Sequence, residues 1–341
     1  MKETFLKLVE NQYKQVKFNV SLNETIDWIK LNNQLQNVSL YTTKYNQVKV
    51  TDLFGEPETN GGPHMDQLVK TLSIVLNKFP DFQTTLLFYK YDQLEPCLYN
   101  YPIFSLSNIP SHDVYNPLVF GDYLNKIQNI SEQSKLQSLF NAKKKIAYSR
   151  LGLSGIHSYL INFDNWINHY KIKFSLFSHM FPDKCDIKLF CNEEWLRKVH
   201  LGSIKEMIEK LPIFDNEVKD LYTMWKKQFD VQINIISEGN CSISNGRFLL
   251  SLYNDGHIIR IGPTLYISQL EMMVNSCTEY QLINAVANDV DTSFIKQIDQ
   301  LIDNNHQLQQ KNHIVNSYFS KENLTDIVHQ SFVLYNQHMI L

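Results

Sequence analysis

The stretch FDVQINIISEGNCSISNGRFLLSLYNDGHIIRIG (229–262) decides the fold. Its first run, VQINIIS (231–237), is rich in β-branched residues and bounded by turn formers, so it reads as a strand. EGNCSISNG is a loop, RFLLSLYND a short helix with Gly256 as its stop, and HIIRIG (257–262) a second strand. A strand, a helix and a strand in that order predict parallel neighbours joined by a crossover.

The same alternation extends outward. Upstream, KIAYSRLG (145–152) and DIKLF (186–190) read as strands, and 153–172 and 202–227 as helices. Downstream, 291–307 and 320–337 read as helices. In the first half, 22–36 reads as a helix with Asn23 as its N-cap, and VSLYTTKYNQVKV (38–50) as a hairpin. EPETNGGP (56–63) is a loop, and MDQLVKTLSIVLNKF (65–79) is a helix ended by Pro80. TTLLFYKYD (84–92) and PIFSLSN (102–108) are strands, and 123–142 is a polar amphipathic segment. Two halves of alternating strands and helices predict α/β architecture with mainly parallel sheets and a domain boundary near residue 142.

The composition fits this and excludes other classes. With 341 residues, 43% hydrophobic and 20% charged, the chain has material for about two globular domains. A net charge of −3 argues against a protein held by phosphate contacts to nucleic acid, while leaving room for a local basic cleft. Cys97, Cys185, Cys191, Cys241 and Cys277 are scattered and form no CxxC, which fits reduced thiols. The N-terminal MKETFLKLVENQYKQVKF has no apolar core of a secretory signal, and no run reaches roughly 18 apolar residues. A cytoplasmic protein without a membrane span is expected.

Ligands on open α/β sheets sit at the carboxyl ends of strands. That rule points to Asp92, Arg150 and the loop 238–247. Asp92 ends an apolar strand, where a carboxylate can serve as general base or simply form a turn. Arg150 precedes Leu-Gly-Leu-Ser-Gly and can grip a phosphate bidentately or lie in solvent. Arg247 opens a helix after a loop of Gly, Ser and Asn, which suits an anion, although neither a Walker motif nor GxGxxG is present. Asp289-Val-Asp291 is a DxD sequence, but its place directly before a helix reads as an N-cap rather than a cation site.

The order of these features resembles glycosyltransferase family 90, the family of protein O-glucosyltransferases, O-xylosyltransferases and capsule- and lipopolysaccharide-modifying transferases. KFPDFQTTLLFYKYDQLEP (78–96) resembles its strand ending in Asp before a Pro. In PIFSLSNIPSHDVYNPLVF (102–120), Phe104, Ser105, Asp113 and Pro117 echo its Phe-Ser strand and the loop to Asp and Pro. KKKIAYSRLGLSG (143–155) resembles its aromatic-Arg-Gly-Ser loop, with Arg150 kept, the aromatic lost and Leu153 where a second Arg stands. Gly239 and Arg247 match a Gly and an Arg of the family, on a slightly longer loop. VNSYFSKENLTDIVHQSFVLYN (315–336) resembles its closing helices.

The resemblance implies a GT-B-like architecture, two Rossmann-like domains facing an interdomain cleft. Its parts would be an acceptor-side domain (1–142), a nucleotide-sugar domain (143–319) and a C-terminal helix returning to the first domain (320–341). It implies an inverting, metal-independent, UDP-sugar-dependent glucosyl- or xylosyltransferase acting on a saccharide or glycan. Asp92 would be the base, with Arg150 and Arg247 on the diphosphate. Ser154, Gly239 and Ser242 would make donor contacts, and Asp186 would sense the donor sugar. A bacterial or viral enzyme fits better than one working in a secretory lumen. The rivals are a catalytically silent member that binds a glycan or partner, and an unrelated α/β nucleotide-binding protein.

Overall fold

The computed structural model describes residues 21–32, 38–44, 47–59, 65–90, 103–104, 143–152, 168–190, 212–215, 221–237, 256–262, 285–304 and 320–338, with isolated positions near 3–10 and 129–133. These form a mixed α/β structure with two sheets.

The first sheet has the order β2-β1-β3-β4, from β1 (Val38–Lys44), β2 (Gln47–Thr51), β3 (Thr84–Tyr89) and β4 (Ile103–Phe104). β1 runs antiparallel to β2, as the predicted hairpin over 38–50 requires, and antiparallel to β3 as well, while β3–β4 is parallel. The cause is local: β1 and β2 register through Lys44 opposite Gln47, a connection too short for a crossover. Alternate side chains then serve two cores. Val38, Leu87, Tyr89 and Ile103 pack against Ile29 of α1 (Leu22–Leu31). On the opposite face lie Tyr41 and Phe88 in an edge contact, and Phe104 against Phe332 and Tyr335. That face is covered by α2 (Met65–Lys78) and by the last helix, α6 (Lys321–His338).

α1 begins at Leu22 as expected but ends at Leu31, with Asn32 as its C-cap, short of the predicted 36, and its N-cap differs. Ser21, not Asn23, is its N-cap, and Ser21 and Glu24 exchange side-chain to backbone hydrogen bonds in a capping box. Ser21-Leu-Asn-Glu24 carries the S-x-x-E pattern, which satisfies two free N–H groups where a lone Asn would satisfy one.

The second sheet has the order β6-β5-β7-β8-β9 and is parallel throughout. Its strands are β5 (Lys144–Gly152), β6 (Cys185–Phe190), β7 (Val231–Ser237), β8 (His257–Ile261) and β9 (Ala285–Ala287). One face is apolar. Ala147, Leu151, Ile187, Leu189, Ile233, Ile235 and Ile259 meet Ile172 and Phe174 of α3 (Tyr170–Met180), and Phe294 and Ile298 of α5 (Thr292–Asp303). The other face is covered over β5 and β7 by α4 (Leu221–Phe229).

Two predicted helices shift. α3 begins at Tyr170, capped by His169, and runs to Met180, so it shares only 170–172 with the predicted 153–172, whose residues 153–167 lie outside the described residues. YKIKFSLF alternates like a strand, while its buried residues Lys171, Ser175 and Ser178 recur at helical spacing. In the predicted 202–227 segment, Pro212 lies where a continuous helix would break, and Phe214 instead bridges in parallel to Leu189. Among the described residues, no helix is long and apolar enough to cross a membrane.

Candidate functional site

The parallel sheet has a switch point. From β5 the chain passes to β6 on one side, then to β7, β8 and β9 on the other. Ligands of such sheets bind in the crevice outside the carboxyl ends of the strands where the order reverses, here between β5 and β7. β5 ends at Gly152 and β7 at Ser237. Ser154 follows the first end closely, and Gly239, Ser242 and Arg247 follow the second. These four and Asp92 lie outside the described residues; the strand ends to which they are tethered do not.

A cation that sequence reasoning passed over lies at this rim. Lys171, 3% exposed in the first turn of α3, donates from Nζ to the carbonyl of Gly152 at 3.0 Å. His169 caps the helix, its Nδ1 accepting the Lys171 N–H at 3.2 Å. Burial, and then the Lys171 charge, pull the His169 pKa down to about 4, so the ring is neutral near pH 7 and free to accept. An ammonium and a helix N-terminus together make the carboxyl end of β5 electropositive. Its only sequence signal was a lysine inside an apparently alternating run.

Arg150, expected on the diphosphate, is engaged by other groups of the protein. Its guanidinium lies over the ring of Tyr148, two residues earlier, at 4.4 Å. Nε donates to Asp215, Nη1 to the carbonyls of Ser149 and Asp186 at 2.9 Å each, and Nη2 to Asp186 Oδ2 at 3.0 Å. Two carboxylates balance the charge, and the side chain is 2% exposed. A bidentate grip on a diphosphate would have to displace these partners. Asp186, expected to sense a donor sugar, is here the half-covered partner of Arg150, while Asp215 is the buried one and also lies 3.9 Å from Lys227 of α4.

The pair belongs to a polar layer under α4. Parallel sheets are ordinarily apolar on both faces. Here Tyr148, Arg150, Asp186, Lys188, Gln232 and Asn234 share one face, as the register Tyr148–Asp186 and Tyr148–Asn234 requires. Among the described residues, the Tyr148 hydroxyl and both amide atoms of Asn234 are buried without a hydrogen-bond partner. Such groups are rare in folded proteins because each carries a desolvation penalty.

Asp291 is the N-cap of α5, as the sequence predicts, accepting from the backbone N–H groups of Ser293 and Phe294 at 2.8 and 3.2 Å. The Ser293 hydroxyl and these N–H groups hold its carboxyl below the usual range. Asp289 instead pairs with Lys173 at 3.3 Å on the surface. Among the described residues no three His, Cys, Asp or Glu side chains cluster as a metal site. Asp291→Ala is expected to lower the melting temperature by a few degrees and Asp289→Ala to leave it unchanged, since exposed pairs contribute little. Equal melting of the two variants would contradict the capping role.

In the first unit, Asp92 follows Lys90 by two residues. Lys90 is 5% exposed, and its Nζ lies 2.7 Å from Oε2 of Glu58, whose side chain is 6% exposed. Ser39 Oγ donates to the same oxygen at 2.9 Å. Burial, and then the charges of Glu58 and Asp66, raise the pKa of Tyr41 on the same sheet face, keeping it a neutral phenol.

No protein-family model matches the chain, and comparison with curated proteins finds no match.

Proposed function

We propose that the chain is an inverting glycosyltransferase that moves a sugar, glucose or xylose, from a UDP-sugar to a hydroxyl of a saccharide or glycan. The observation that carries this reading is the switch point between β5 and β7. Its two strand ends lead directly into the segments holding Ser154 and Gly239–Arg247, the residues that the likeness to glycosyltransferase family 90 assigns to the donor. The donor then lies over the second sheet and the acceptor near the end of β3, the two units forming a GT-B-like cleft. Domains 1–142 and 143–319, closed by 320–341, and a cytoplasmic location belong to the same reading.

In the reaction Asp92 accepts the proton of the acceptor hydroxyl as its oxygen attacks the anomeric carbon from the face opposite UDP. The bond to the diphosphate oxygen breaks with its electron pair leaving on UDP. Arg247 and the electropositive corner at Lys171 stabilise that growing charge, and such prearranged groups usually supply the largest electrostatic contribution. No metal is needed for this assignment. Arg150 contributes by holding β5 and β6 together beneath the donor rather than by touching it.

UDP titration tests the reading. Arg247→Ala removes a charge-assisted contact of about 1.5–3 kcal/mol, so UDP should bind about ten- to a hundredfold more weakly. A folded variant with unchanged affinity removes Arg247 from the site, and a wild-type protein that ignores UDP overturns the donor assignment. A second reading, a silent glycan-binding protein, is favoured by the engagement of Arg150 with carboxylates and by Leu153. It is recognised by glycan binding without UDP release.

A further inference from the structure

The face of the second sheet beneath α4 carries polar atoms that no side chain or backbone group among the described residues answers. Asn234 lies in β7, the middle strand of the five, and is fully buried. Neither its Oδ1 nor its Nδ2 meets a hydrogen-bond partner. Turning the amide over exchanges the two atoms and leaves both unanswered, so its orientation is not the cause. Tyr148 of β5 stands opposite Asn234 in the register, 2% exposed, and its hydroxyl is unanswered as well. Gln232, two residues before Asn234 and on the same face, adds a buried Oε1. Neighbouring strands lie about 4.8 Å apart, which places these groups side by side.

The chemistry of the cluster selects its occupant. Acceptors are the Asn234 and Gln232 oxygens, and donors are the Asn234 amide and the Tyr148 hydroxyl. Burial raises the Tyr148 pKa, so the phenol keeps its proton and can donate. The charge beside the cluster, Arg150 over the Tyr148 ring at 4.4 Å, is already matched by Asp186 and Asp215. An ion of either sign would enter without a counter-charge, which is costly in a buried site. The occupant must be neutral and must both donate and accept. Water is the smallest molecule that does so.

We infer that Tyr148, Gln232 and Asn234 hold ordered water between α4 and the second sheet, about one or two molecules at the roughly three hydrogen bonds that a buried water makes. The inference is independent of the transferase reading. α4 thus rests on its face of the sheet partly through water, whereas α3 and α5 meet the other face through apolar side chains.

A crystal structure of the full-length wild type, at a resolution that shows ordered water, tests this. Water should appear within about 2.7–3.2 Å of at least two of the four unanswered atoms. A direct hydrogen bond between Tyr148 and Asn234, closing the cluster without water, overturns the inference. So does an organic molecule in the same place, which native mass spectrometry would register as excess mass on the purified protein. In solution, water magnetic relaxation dispersion counts long-held molecules in the wild type and in Tyr148→Phe/Gln232→Leu/Asn234→Leu. The variant should lose about one or two waters. It should melt no lower than wild type, since apolar groups of similar shape replace every unanswered partner. A folded variant with an unchanged water count overturns the inference. Should the variant not fold, the wild-type crystal structure decides alone.

Discussion

Asp92→Asn is expected to lower sugar transfer by about 10²–10⁴-fold, the usual contribution of a general base. The substitution is nearly isosteric, so melting temperature and UDP affinity should remain close to wild type. That combination separates a base from a structural aspartate. A capping or turn residue would lower the melting temperature first and leave chemistry intact. Loss of transfer with undiminished UDP binding therefore supports the assignment. Full turnover in the variant removes Asp92 from the mechanism, and the end of β3 with it.

The largest effect on stability is expected at Asp215. Its carboxylate, 3% exposed, is the buried partner of the Arg150 Nε. Asp215→Ala leaves a guanidinium buried with one N–H unanswered, and removing one partner of a buried pair destabilises by about 3–5 kcal/mol. That is a large part of the 5–15 kcal/mol that typically holds a domain folded. Asp186→Ala should lose far less, because that side chain is 34% exposed and water can take its place. Arg150→Met/Asp215→Leu should recover most of the loss by replacing both charges with apolar volume. Urea unfolding of the four proteins measures all of this. Equal losses for Asp215→Ala and Asp186→Ala would contradict the assignment of Asp215 as the anchor.

The two pairs show what a single sequence can and cannot display. The parallel strands were legible because VQINIIS and HIIRIG carry β-branched runs that fit few other states. The alternation of Tyr148 with Arg150, Asp186 with Lys188 and Gln232 with Asn234 was also present, and it marks one polar face of the second sheet. What that face is polar for could not be read, because Asp215 lies 65 residues from Arg150 in the chain and reaches it only through the fold. Lys171 and Glu58 were hidden for the same reason. Their meaning comes from a carbonyl 19 residues away in one case and from Ser39 and Lys90 in the other. Asn23 against Ser21 is a different failure, a local one, in which the reciprocal partner Glu24 was present and overlooked.

The position of α6 governs how this protein is made. Thr84 bonds Asn336 across 252 residues, and Phe82 and Phe104 pack on Phe332. During synthesis at about 5–20 residues per second, the first sheet therefore waits some 10–50 s with one apolar face only partly covered, by α2 alone. That face is the hazard of the nascent chain. A ribosome stalled before residue 320 would release a polypeptide whose second sheet can mature while its first remains sticky. Holdase chaperones should accordingly bind the N-terminal region of truncated chains and let go when the last helix arrives.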